Sequence, residues 1–165
     1  MGHFCHLLVF SSFLVVSVTS RNPLAQQCRW DVANISTSAS SFQLLLSVMN
    51  SFCPAGPLFN NIECNNSAAL GASYMNTVAS HATSCTVDCC DASPGNPCVV
   101  PSCVGSCKVL QNFAYDVMGA AEQISGGCSN STNPNDQSRC QGMLSEIAAL
   151  YQSVQNYVAK VMGYC

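Results

Sequence analysis

Eight of the thirteen cysteines fall into four pairs whose members stand 25 positions apart: Cys28 and Cys53, Cys64 and Cys89, Cys103 and Cys128, Cys140 and Cys165. Between the members of each pair, apolar residues recur at alternating steps of three and four. The first segment gives Val32, Ile35, Ala39, Phe42, Leu46 and Met49; the second gives Ala68, Gly71, Met75, Val78, Ala82 and Cys85. The third gives Cys107, Leu110, Ala114, Val117, Ala121 and Ile124; the fourth gives Leu144, Ile147, Tyr151, Val154, Val158 and Val161. Steps of three and four keep one stripe of a helix turned toward a partner, whereas a strand needs a period of two. The pattern therefore predicts an all-α chain of four helices, over roughly 29–52, 66–88, 102–125 and 138–163.

Proline and glycine agree with this division. A proline inside a helix removes a hydrogen bond and clashes with the preceding turn. All seven prolines (23, 54, 57, 94, 97, 101 and 134) fall outside the four segments. Gly126-Gly127 stands where the third helix should stop, and Ser102 and Asp136 stand where caps are expected. Connections of 10, 13 and 11 residues between the bounding cysteines favour antiparallel neighbours, hence an up-down-up-down bundle with helices of about 35 Å. Cys53, Cys64, Cys128 and Cys140 then gather at one end. Cys28, Cys89, Cys103 and Cys165 gather at the other, with Cys85 and Cys107 one layer inward. Facing Cα atoms in such a bundle lie about 5.4 Å apart, inside the range a disulfide accepts.

The N-terminus fixes the redox expectation. Residues 7–16 (LLVFSSFLVV) are an uncharged apolar run followed by Val18-Thr19-Ser20, the pattern of a signal peptide over 1–20 cleaved before Arg21. The run is too short to span a membrane, and no later stretch reaches eighteen apolar residues. Cleavage removes Cys5 and leaves twelve cysteines, an even number. In an oxidising compartment that implies about six disulfides in a single domain, residues 21–165. Five basic and eight acidic side chains give a net charge of −3 without a basic cluster, which argues against nucleic acid as a partner. Sequons at Asn34, Asn65 and Asn130 are expected to carry glycans.

Six cysteines crowd into residues 85–107, CTVDCCDASPGNPCVVPSCVGSC. Cys85-x3-Cys89 closes the second helix and Cys103-x3-Cys107 opens the third. One antiparallel register opposes Cys89 with Cys103, Cys85 with Cys107 and Cys64 with Cys128; Cys90 and Cys98 are left to pair across the Pro-Gly turn. At the other end, Cys53–Cys64 with Cys128–Cys140 competes with Cys64–Cys128 and Cys53–Cys140. Over these residues alone, the double Cys-x3-Cys clasp resembles that of helical-hairpin peptides such as the α-hairpinins. Zinc and redox motifs favour Cys-x2-Cys, which is absent, so the cluster reads as a mechanical clasp with no metal.

Catalytic chemistry is sparse. His81 is the one histidine outside the leader. No Gly-x-Ser-x-Gly elbow accompanies it, so a triad with Asp88 or Asp116 is not expected. Cys89-Cys90 invites comparison with the CCxxHxxC signature of secreted phospholipase A2, but Asp91, Ala92, Ser93 and Pro94 follow here without a histidine. Asp88 and Asp91 lack an oxygen-rich calcium loop, and Glu122 and Glu146 fall on polar faces. No catalytic residue and no cofactor are assigned.

Two features suggest binding instead. Small residues in the second and third helices (Ala68, Gly71, Ala114, Ala121) either let helices approach closely or leave a cavity lined by Phe42, Met75, Phe113 and Tyr151. On the outer face of the first helix Leu44 and Val48 stand four apart, with Phe59 in the loop beyond. The expectation is a secreted, non-enzymatic protein that binds an extracellular protein partner. A carrier of a small apolar ligand, fatty acid or sterol, is the alternative, and a secreted hydrolase ranks last.

Overall fold

A computed structural model describes residues 23–54, 58–90, 102–128 and 133–163. They form four helices: α1 (Pro23–Phe52), α2 (Asn61–Asp88), α3 (Cys103–Gly127) and α4 (Pro134–Met162). Each helix packs on its neighbours in the chain, and α1 closes the ring against α4, with no diagonal packing among the described residues. The fold is the antiparallel up-down-up-down bundle. The α1–α4 seam is the thinnest of the four.

The apolar stripe is the core. Of the residues it names, all are buried except Val32 and Leu46, which are half-buried against the others. Phe42 sits at its centre, wholly enclosed, a burial worth about 1.5–3 kcal/mol. Its ring stacks at a tilt on Tyr151 with centroids 5.0 Å apart. On its other side is Gly71, where a Cβ would come within 3.1 Å of Phe42 Cε2. Gly71 is therefore a close-approach position, and α2 lies against α1 because no side chain intervenes there.

Three helices, α1, α2 and α4, begin earlier than the stripe alone predicts, because asparagines and prolines outside it supply the starts. Asn60 caps α2, its Oδ1 accepting from the Ile62 and Glu63 amides at 3.0 and 3.3 Å. Glu63 in the first turn complements the positive end of the dipole. Asn133 caps α4 by accepting from the Asn135 amide at 2.9 Å, and Pro134 takes the first helical position. Asp136 therefore lies in the first turn and is not the cap. Pro23 and Pro134 fall inside helices after all, at the one turn where the missing amide costs nothing. Ser102 does precede α3, and α3 does end on Gly127.

Among the described residues five disulfides brace the bundle: Cys28–Cys89, Cys53–Cys64, Cys85–Cys107, Cys90–Cys103 and Cys128–Cys140. Their Cα separations run from 4.7 to 6.0 Å. Every bond joins cysteines of the same end of the bundle. Two expected pairings are corrected. Cys89 bonds Cys28 across the α1–α2 seam and not Cys103, and Cys90 bonds Cys103 and not Cys98. The reason is that α2 has two neighbours. Its core-facing Cys85 reaches α3, whereas Cys89, at the helix end, is turned to α1, and the chain swings Cys90 onto α3. At the far end the hairpin solution, Cys53–Cys64 with Cys128–Cys140, is the one adopted. Cys98 and Cys165 lie outside the described residues, as do residues 1–20, where a leader is expected, and Asn130.

Candidate functional site

The α1–α2 connection is tied down on both sides of residues 55–57, which lie outside the described residues. After α1 the Leu58 amide donates to the Ser51 carbonyl at 3.0 Å, and the Asn60 amide to the Phe52 carbonyl at 2.9 Å. Asn60 then caps α2, and the Cys53–Cys64 bond closes the turn from inside. On this clamped turn stand three large apolar side chains in the open: Leu58 is 61%, Phe59 39% and Ile62 69% exposed. A cluster of exposed apolar groups on a fixed backbone differs from the scattered surface aliphatics that any protein carries.

The other residues the sequence singles out are dispersed. Leu44 points into solvent from the middle of α1, whereas Val48, one turn on, is half-buried. Phe42, Met75 and Tyr151 belong to the packed core. Phe113 does not join them: it is half-buried at the α3–α4 seam, its ring 5.9 Å from that of Tyr157. Of the sequons, Asn65 is exposed on α2 and accepts from Ser125 Oγ at 2.7 Å. Asn34 is half-buried in α1, its Nδ2 donating to the Trp30 carbonyl at 2.8 Å.

One pair escapes the sequence reading. Asp31, on the first helix between Cys28 and Ile35, is wholly buried, and its Oδ1 lies 2.8 Å from His81 Nδ1 on α2. Trp30 covers the imidazole edge-on, ring centroids 4.7 Å apart. Asp31 Oδ2 is enclosed without a hydrogen-bond partner. Burial pushes the Asp31 carboxyl above its ordinary value of 3.8; His81 pulls it down and the neighbouring Asp88 pushes it up, and the net direction is upward. A carboxylate orienting an imidazole is half of a general-base arrangement, but among the described residues His81 bonds no hydroxyl or thiol.

A shallow cavity of about 410 Å³ opens on the thin α1–α4 seam, lined by Arg29, Val32, Ala33, Ser36, Thr37 and Met162. Among the described residues, no helix is long and apolar enough to cross a membrane. Comparison with protein-family models, with curated proteins and with solved structures finds no match to this chain.

Proposed function

We propose that the protein is an extracellular, non-catalytic binding module that presents the α1–α2 turn to a protein partner. The observation that carries this reading is the trio Leu58, Phe59 and Ile62, displayed where α2 begins on backbone tied to α1 by the Cys53–Cys64 bond and by main-chain hydrogen bonds. Apolar side chains held rigid in water are what a partner's pocket can bury without an ordering cost. Five disulfides in one small bundle suit an oxidising, extracellular setting, in keeping with a cleaved leader over residues 1–20.

The test compares the mature wild-type protein with Ile62→Asp and Leu44→Asp on beads in the extracellular fluid of its source. Proteins enriched on the wild type should fall by about tenfold or more on Ile62→Asp, the usual scale for a central apolar anchor. Undiminished capture by Ile62→Asp, with loss on Leu44→Asp, would move the interface to the outer face of α1.

A second reading, carriage of a small amphiphile, is favoured by the α1–α4 cavity, where the Arg29 guanidinium stands beside Val32, Ala33 and Met162. An anionic headgroup would meet the arginine and a short apolar chain the rest. Displacement of a fluorescent fatty-acid probe, abolished by Val32→Trp, would support it.

A further inference from the structure

Four sulfur atoms meet where α2 ends and α3 begins. The Sγ atoms of Cys85, Cys90, Cys103 and Cys107 all lie within 4.8 Å of one another, joined as the bonds Cys85–Cys107 and Cys90–Cys103. Among the described residues no other cysteines are gathered in this way. The remaining three bonds each stand apart. Two disulfides at this separation present each sulfur with three neighbours of its own kind.

Access to the cluster is one-sided. Every other described cysteine is fully enclosed, and only Cys90 is partly open to solvent. Its partner Cys103 is the first residue of α3. A thiolate released there stands at the positive pole of the helix, which favours the anion as a leaving group. Cys90 is thus the cysteine of the four that an incoming thiol can best reach, and Cys103 is the one it expels.

We propose that this clasp is a thiol–disulfide exchange centre, in which an external monothiol catalyses re-pairing of the four cysteines. An incoming thiolate attacks Cys90 Sγ, forming a mixed disulfide and breaking Cys90–Cys103, with the electron pair leaving on Cys103 Sγ. The Cys103 thiolate attacks Cys85 or Cys107, forms a new bond and expels the other of the two as thiolate. That thiolate attacks the mixed disulfide at Cys90, closes the second new bond and returns the external thiolate. Two disulfides are present before and after, nothing is oxidised or reduced overall, and the thiol is regenerated. Attack on Cys85 yields Cys85–Cys103 and Cys90–Cys107, which still tie α2 to α3. Attack on Cys107 yields Cys103–Cys107 and Cys85–Cys90, which lie along the chain and unfasten the two helices from each other.

The experiment uses the full oxidised mature chain with reduced glutathione at substoichiometric amounts. Samples are quenched with acid at intervals and their disulfides mapped after peptic digestion. The glutathione adduct should appear first at Cys90. New pairings among the four cysteines should then arise about tenfold or more faster than any change at Cys53–Cys64 or Cys128–Cys140, since access and leaving-group stability set exchange rates. In the Cys85→Ser, Cys107→Ser double variant the acceptor bond is gone, so the Cys103 thiolate can only return to Cys90 and expel glutathione, and no new pairing should arise at the clasp. A first adduct at another cysteine, or a pairing at this cluster no faster to change than elsewhere, would overturn the proposal. The wild-type time course alone decides this if the double variant does not fold.

Discussion

His81 Nδ1 and Asp31 Oδ1 lie 2.8 Å apart across the α1–α2 seam, with the carboxylate wholly enclosed and its second oxygen unpartnered. An ionised carboxylate can only accept, so with Asp31 charged the Nδ1 position carries the proton. The contact ties together two helices already joined by Cys28–Cys89 one turn away on α1. A charge buried with one lone oxygen is a net cost that a single hydrogen bond does not fully offset.

A pH dependence follows. Burial raises the Asp31 carboxyl above 3.8, so its protonated form is the one the folded state favours. The stability it contributes is complete below 3.8 and is lost as pH rises through the higher folded value. Asp31→Asn keeps an acceptor for His81 and sets an amide donor beside Asp88. Thermal unfolding should show the variant level with wild type in acid and increasingly the more stable toward neutral pH. A gap that stays flat, or that opens in acid instead, would contradict the buried-carboxylate account.

The disulfides are expected to differ in worth with the length of chain they close. Cys28–Cys89 spans a separation of 61 residues and Cys53–Cys64 one of 11. On chain entropy alone, losing the first costs about 4 kcal/mol and losing the second about 3 kcal/mol. Paired Cys→Ser variants compared by denaturant unfolding give the order directly. A larger loss at Cys53–Cys64 would mean that native-state strain or residual structure outweighs loop closure.

Gly71 and Gly119 offer a matched comparison, both within helices. At Gly119 an added Cβ meets nothing within 4 Å, so Gly119→Ala should stabilise by up to about 1 kcal/mol through backbone entropy. At Gly71 the same methyl would press on Phe42, which cannot recede without disturbing Tyr151 behind it. Gly71→Ala is expected to lower the melting temperature despite its better helix propensity. If both variants melt higher than wild type, the Phe42 ring has more room than the packing indicates.

The architecture was legible because two independent periodicities coincide in the sequence. The alternation of three and four names the buried face, and the cysteine spacing names the ends. What stayed hidden depended on rotation about a helix axis. Cys89 and Cys90 are adjacent in the chain yet bond different helices, a choice settled by how α2 stands between α1 and α3. Asp31 shares its face with Cys28 and Ile35, so a charged residue amid the stripe was the available signal; its partner His81 is 50 positions away. The apolar turn was half-visible. Phe59 stands in the loop beyond the Leu44–Val48 face, whereas Leu58 and Ile62 belong to no period, and only their exposure distinguishes them.

The thin α1–α4 seam carries two polar pins. Buried Tyr151 donates from its hydroxyl to the Ala39 carbonyl at 2.5 Å, and Gln155 Nε2 donates to Gln43 Oε1 at 3.2 Å one turn farther on. Enclosure pushes the Tyr151 phenol above its ordinary value of 10.0, so it remains a donor across the neutral range. Tyr151→Phe keeps the ring against Phe42 and deletes only the hydroxyl. It should cost about 1 kcal/mol, the net worth of one such bond, with amide exchange quickening in α4 ahead of α2 and α3. Uniform quickening in all four helices would show instead that the bundle opens only as a whole, and that the seam is no weaker than its neighbours.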